Sequence, residues 1–193
     1  MSTSATQKII VIAAPSGAGK TSVTRHLLNA LPDKLAFSIS AATRPPRKHE
    51  TDGVDYYFIS VKDFEQRILH DEFVEWEMVY QGKYYGTLKS ELNRIWALGK
   101  TPLLDVDVVG GLDIQLLYPT TCLSLFILPP SIQELRHRLE ARGTETPETL
   151  EARIQKAAHE LTFRDKFDHI IINDKLDRAC AEAESIVRTF LNS

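Results

Sequence analysis

Two cysteines in 193 residues are too few for a disulfide framework. Cys122 and Cys180 lie far apart in apolar-patterned segments, which suits reduced core thiols in a cytoplasmic protein. No apolar run approaches a membrane span. The start, MSTSATQK, lacks the charged head, apolar stretch and cleavage site of a signal peptide. A net charge of −3 excludes the bulk basic field that sequence-independent nucleic-acid binding relies on. Any anionic partner must therefore be met by local arginine clusters. The six histidines show no metal-ligand spacing. Internal repeats, low-complexity segments and flexible linkers are missing too. The expectation is a soluble α/β protein with no membrane and no nucleic-acid polymer as partner; the sequence leaves open whether it is a monomer or a homo-oligomer.

Hydrophobic residues at 43% and charged residues at 25% allow one domain with a sizeable core. KIIVIAA (8–14) is a continuous β-branched run of the kind buried on both sheet faces. A helical pattern follows over 20–31, stopped near Pro32. Strand patterns recur over 35–40, in YYFIS and EFVEWEMVY, over 101–109, over 122–128 and over 169–174. Between them run helical stretches over 61–70, through Leu112, Leu116 and Leu117, from a cap at Ser131 to Arg142, from Pro147 to Phe163, and at the end of the chain. Strands alternating with helices predict a parallel sheet covered on both faces. The stretch 38–93 departs from that rhythm as a strand-rich insertion. Residues 130–155, heavily charged, form a second excursion.

Ala14-Pro15-Ser16-Gly17-Ala18-Gly19-Lys20-Thr21 stands between the first strand and the first helix. Glycines there let backbone N–H groups converge on phosphate oxygens. The lysine neutralises the β- and γ-phosphates, and the threonine hydroxyl is placed to ligand Mg²⁺. The signature G-x-x-x-x-G-K-[ST] normally begins with glycine, so Ala14 costs something only if that position needs positive φ or a very close backbone approach. The flanking strand and helix make this a nucleotide site.

A second anion site is offered by SISAATRPPR (38–47), where Arg44 and Arg47 stand three apart in a proline-stiffened turn and could grip one phosphate. Tyr56 and Tyr85 could add hydroxyl donors. Taken singly, the arginines also read as solvated loop charges, the tyrosines as partial core, and Glu75 as a strand-face charge. Arg138 and Arg142, four apart on one helix face, also read as a solvated helix in which Glu134 meets Arg138. Asn173 and Asp174 read equally as a loop start or a cap.

Together these segments resemble the guanylate kinase family over nearly the whole chain. The resemblance rests on the loop at 14–21, FSISAATRPPR, GVDYYF, FVEWEMVYQGKYYGT, LLDVDVVGG, LPPSIQELRHRLEARGTET and IIND, in that order. It implies a P-loop NTPase core with a five-stranded parallel sheet (1–37, 94–129 and 156–193), a GMP-binding insertion (38–93) and a helical lid (130–155). It also implies the reaction ATP + GMP ⇌ ADP + GDP, with Mg²⁺ and with dGMP as a further acceptor. By the same resemblance Glu75 and Asp107 face the guanine with Ser40 and Thr87 near the base, and Arg44, Arg47, Tyr56 and Tyr85 hold the GMP phosphate. Asp105 lies near Mg²⁺ through water, Arg138, Arg142 and Arg153 close over the transferring group, and Asn173 and Asp174 lie beside the adenine of ATP.

Guanine presents two donors beside one acceptor, so a carboxylate with a hydroxyl suits its edge, whereas adenine presents the reverse polarity to that carboxylate. The acceptor phosphate is already anionic, so no general base is needed, and protein-kinase catalytic motifs are missing. Departures from the family pattern are Ala14, RKHE (47–50) without the family's glycine before its glutamate, here Glu50, one extra residue between Glu75 and Tyr85, and Val109 after DVDV where a glutamine is frequent. The alternatives are an inactive interaction module of the same fold, a phosphate-loop kinase for another acceptor, and a regulatory GTPase. The module is opposed by the presence of Lys20, Thr21, Arg44 and Arg47, and the GTPase by the lack of an N-K-x-D motif.

Overall fold

The computed structural model describes residues 7–141 and 147–193. Five parallel strands, β1 (Ile9–Ala13), β2 (Leu35–Phe37), β7 (Thr101–Val106), β8 (Cys122–Leu128) and β9 (His169–Ile172), form a sheet in the order β2-β7-β1-β8-β9. The central strand β1 is apolar throughout and fully buried. Its residues alternate between two cores, as the period of two in a strand requires. Ile10 and Ile12 pack with Leu27 of α1 (Lys20–Ala30) and Val187 of α7 (Leu176–Asn192). Ile9 and Val11 pack with Leu92 of α3 (Lys89–Ala97) and Ile114 of α4 (Val108–Leu117). A sheet covered on both faces must be apolar on both faces, which explains the unbroken β-branched run.

A second sheet carries the insertion, in the order β4-β3-β6-β5: β3 (Ala41–Ala42), β4 (Tyr57–Phe58), β5 (Phe73–Tyr80) and β6 (Lys83–Leu88). Helix α2 (Val61–Leu69) lies on it, started by Ser60, whose side chain accepts from the Asp63 N–H. Phe64 of α2 is fully buried between Phe73 and Tyr84, with ring centroids 4.2 and 5.2 Å away.

Two further helices, α5 (Ile132–Ala141) and α6 (Pro147–Leu161), stand over the C-terminal edge of the first sheet. Ser131 accepts from the Glu134 N–H at 3.0 Å, as its capping position predicts. Pro147 is the first residue of α6, where a missing N–H costs nothing.

The strand expected over 35–40 is shorter. At Ser38 the chain makes its last bond to the first sheet, donating to the Leu103 carbonyl at 3.0 Å. The next N–H, of Ile39, turns to the Glu91 carboxylate, and Ala41 already belongs to the second sheet. Helix α3 starts at Leu88 without a side-chain cap, so the sequence gives it no local start signal.

Truncating Phe64 to alanine should remove the aromatic stack that joins α2 to the second sheet. We expect a loss of about 3–5 kcal/mol of unfolding free energy, read by urea denaturation.

Candidate functional site

The phosphate loop occupies residues 14–19, between the end of β1 and the start of α1. Gly17 and Gly19 take φ of 94° and 101°, a region only glycine enters freely. Ala14 is not among the positive-φ residues, and its methyl is packed in the core. The family's glycine is therefore replaced here without strain. Asn173, buried just beyond β9, donates from Nδ2 to the Ala18 carbonyl at 2.7 Å. A methyl on Gly19 would lie 2.1 Å from that same nitrogen. The last strand thus fastens the loop from behind.

Lys20 opens α1 and reaches back to β7, where Nζ lies 2.6 Å from both the Val106 carbonyl and Asp105 Oδ1. This follows from the sheet, because Asp105 pairs in register with Ile12 on the strand before the loop. Thr21 is exposed in the first turn of α1. Arg153 of α6 donates to Ser16 Oγ at 2.9 Å, bringing that helix onto the loop. A cavity of about 270 Å³ is enclosed between them, lined by the loop and by Asp107, Arg153, Lys156 and Glu160.

Arg44 is the centre of a second cluster. Its guanidinium is gripped bidentately by Glu50, with Nη2 to Oε1 at 2.6 Å, and Nε donates to the Tyr85 hydroxyl at 3.0 Å. It stacks over the rings of Tyr56 and Phe58, 4.9 and 5.4 Å from their centroids. Arg44 pulls the Glu50 carboxyl down to about 2, overcoming the opposing effect of its burial. Burial, then the Asp105 charge, pushes the Tyr56 hydroxyl up. Arg47 lies beside the cluster with its side chain exposed; its backbone N–H donates to Glu50.

A third group completes the cleft. Glu75 of β5 pairs across the hairpin with Thr87 of β6, whose hydroxyl donates to Glu75 Oε1 at 2.6 Å. Asp107 caps α4, accepting from the Gly110 N–H at 2.8 Å. A methyl at Gly110 would stand 2.8 Å from Glu75 Oε2 and 3.2 Å from Asp107 Oδ1, so both carboxylates border one spot that only glycine leaves open. Burial raises the Glu75 carboxyl to about 7, helped by the charges of Asp107 and Asp113 and opposed by the Thr87 bond. Between Glu75 and Tyr85 the register of β5 shifts once, between Met78 and Tyr80, where an extra residue is accommodated; a second shift lies before Glu75, after Phe73. Glu75 remains opposite Thr87.

Of the remaining expected residues, Ser40 is half-buried, with its carbonyl accepting from the Tyr57 N–H. Arg138 pairs with Glu134 at 2.9 Å and also donates to the Asn173 carbonyl at 3.0 Å. Asp174 is exposed and pairs with Arg178. Arg142 lies outside the described residues.

Sequence reasoning missed four groups at or behind this cleft: Glu50, Glu91, Lys156 and Glu160. Glu91 is buried on α3 and accepts from the Ile39 N–H, the Tyr57 hydroxyl and Arg94, tying the first sheet to the second. Only the i,i+3 pair with Arg94 is local; its other partners, Ile39 and Tyr57, come from distant segments. Lys156 and Glu160 do carry one, standing three and seven residues after Arg153 on one helix face.

A strand–loop–helix phosphate cradle at the edge of a five-stranded parallel sheet defines a phosphate-loop nucleotide-binding protein. The family model "Guanylate kinase" matches residues 6–190. The guanylate kinase of Bacteroides fragilis is 51% identical over 95% of this chain and 90% of its own length, and that of Salinibacter ruber is 44% identical over 97% and 98%. The crystal structure of guanylate kinase from Anaplasma phagocytophilum superposes with a TM-score of 0.75 at 28% identity, over 95% of this chain and 86% of that one. The chain belongs to the guanylate kinase family, and with it to the kinases. Among the described residues no helix is long and apolar enough to cross a membrane.

Gly19→Ala should be poorly tolerated, because it forces an L-residue to φ near 101° and drives its methyl into Asn173. We expect it to lower stability by about 1–3 kcal/mol from backbone strain alone. Denaturant titration reads the loss, and nucleotide binding should weaken with it.

Proposed function

We propose that the chain transfers the terminal phosphoryl group of ATP to GMP, giving ADP and GDP in the cytoplasmic recycling of guanine nucleotides. The observation that carries this reading is the double position of Asp107, which lines the phosphate-loop cavity and also borders Glu75 at Gly110. One cleft thereby joins a triphosphate cradle to a carboxylate–hydroxyl pair suited to a guanine edge.

In this reading Glu75 and Asp107 accept from N1–H and N2–H of guanine, with Ser40 and Thr87 near O6, and Arg44, Arg47, Tyr56 and Tyr85 hold the acceptor phosphate. The base edge and phosphate of dGMP meet the same contacts. Residues 38–93 serve as the GMP-binding part, 130–155 as the lid, and 1–37, 94–129 and 156–193 as the core. Lys20 and the loop residues 14–21 bind the ATP phosphates, and Asn173 and Asp174 lie toward its base.

The residues present fit Mg²⁺ as the companion of ATP. Thr21 is exposed beside the cradle, and the partly exposed Asp105 carboxylate lies against Lys20. Bound there, the ion neutralises phosphate charge. Two unit charges about 4 Å apart repel by about 4 kcal/mol at an effective dielectric near 20, so donor and acceptor each need local cations. Lys20 and the lid arginines Arg138, Arg142 and Arg153 serve the transferring group, and Arg44 and Arg47 serve the acceptor. Arg153 touches the loop through Ser16, which places α6 where it helps to exclude water from the transferring group.

The reading is tested by coupled ADP release with Mg–ATP and GMP, AMP, UMP or CMP in turn. Turnover concentrated on GMP is expected. Equal rates with all four would overturn the guanine assignment. Lys20→Ala should retain the folded midpoint yet lose roughly 10²–10³-fold in kcat/KM.

Glu75 gives a pH test. Its folded carboxyl stands near 7, above its unfolded value, so its contribution to stability is full below about 4.5 and is lost as pH rises through about 7. Accepting two N–H donors needs the carboxylate, so GMP recognition should change in the opposite sense. The KM for GMP should fall as pH rises from about 6 to 8, and Glu75→Gln should flatten that profile.

A further inference from the structure

Helix α6 turns three polar side chains toward the phosphate loop, at 153, 156 and 160, the spacing of one helix face. Arg153 meets Ser16, but the other two have no role in the reaction as derived above. Glu160 is a costly residue where it stands. It is 8% exposed, it occupies the last turn of α6, where the helix dipole disfavours an acid, and burial holds its carboxyl up. Its salt bridge is to Lys156, with Nζ 3.8 Å from Oε1. That is loose beside the 2.6 Å of Lys20 and Asp105. A lysine four residues before a glutamate is also the weaker order for supporting a helix. The pair is therefore poorly explained as helix stabilisation. Half of the Lys156 side chain is exposed, and its long stem can swing the ammonium between Glu160 and the cavity it lines.

We infer that Lys156 is a further binding residue for the triphosphate chain of the nucleotide donor, held beside the cradle by Glu160 and turning to a phosphate oxygen when the nucleotide enters. The inference rests on the phosphate-loop part of the proposed function and does not depend on the identity of the acceptor. It gives α6 two cations toward the phosphates in place of one, and it gives the buried acid a purpose. Glu160 keeps the lysine pointed inward, where an unpartnered ammonium would extend into water.

The test is titration calorimetry of the β,γ-imido analogue of ATP with Mg²⁺ against the full chain as wild type, Lys156→Gln and Lys156→Arg. Lys156→Gln should bind the analogue roughly fivefold more weakly, the size of a half-exposed charge pair. Lys156→Arg should recover most of that loss, and the difference from wild type should shrink with added salt. GMP titrated alone should bind all three proteins equally. Unchanged analogue affinity in Lys156→Gln would overturn the inference, as would an equal loss for GMP, which would mean a structural effect. A wild-type protein that binds the analogue but phosphorylates another acceptor would overturn the GMP reading alone, leaving the Lys156 result to stand.

Discussion

Pairing of cations around the cleft with nearby carboxylates is the constraint on which the rest of the site depends. Lys20 rests on Asp105, Arg44 on Glu50, Arg138 on Glu134 and Lys156 on Glu160. Four positive charges converging on one cleft repel one another, and a chain of net charge −3 supplies the compensating acids locally. The closer pairs, at 2.5–2.9 Å, also restrain long side chains, so part of the ordering entropy that binding would cost is already met in folding. Arg44 carries this furthest. A bidentate carboxylate, a tyrosine hydroxyl and two aromatic faces hold its guanidinium in one plane.

That arrangement explains which parts of the molecule the sequence announces. The phosphate loop is legible because its chemistry is local: a buried strand, two glycines at positive φ and a lysine at the helix start all fall within a dozen residues. The central sheet is legible because strands covered on both faces must be apolar at every position. Glu91 is hard to see by the same logic, since beyond Arg94 on its own helix its partners at Ile39 and Tyr57 meet it only in the fold. Asn173 shows the limit differently. Sequence placed it toward the adenine, but its side chain also anchors the Ala18 carbonyl, a contact of 155 residues' separation. Strand ends were hard to read wherever the chain passes from one sheet to the other, as at Ser38, because apolar patterning continues while the bonding partners change.

The departures from the family pattern fall where the backbone can absorb them. Ala14 keeps an ordinary φ, so the lost glycine was never needed for conformation. The extra residue after Glu75 enters a hairpin whose register is already irregular on both sides of the Glu75–Thr87 pair. A bulge turns an inserted residue into local twist instead of a one-residue slip, which would have moved Glu75 to the opposite face. Positions that cannot give are those where backbone and side chain meet closely, Gly19 against Asn173 and Gly110 against Glu75 and Asp107.

Gly110 is the point at which base selection and phosphate chemistry become one problem. It lies in the first turn of α4, whose cap Asp107 also lines the phosphate cavity, and it leaves room for two carboxylates to approach the same spot. Burial, with the Asp107 and Asp113 charges added, raises Glu75 toward neutrality. In the proposed reading a base bringing two N–H donors relieves both costs together, restoring hydrogen bonds and stabilising the charged form. A base bringing an acceptor at that edge relieves neither and leaves a buried carboxylate facing a lone pair. In that reading the discrimination rests first on the burial of Glu75, with the Asp107 charge adding to it. In the same reading, the acid that helps to choose the base also walls the cavity proposed to hold the phosphoryl group.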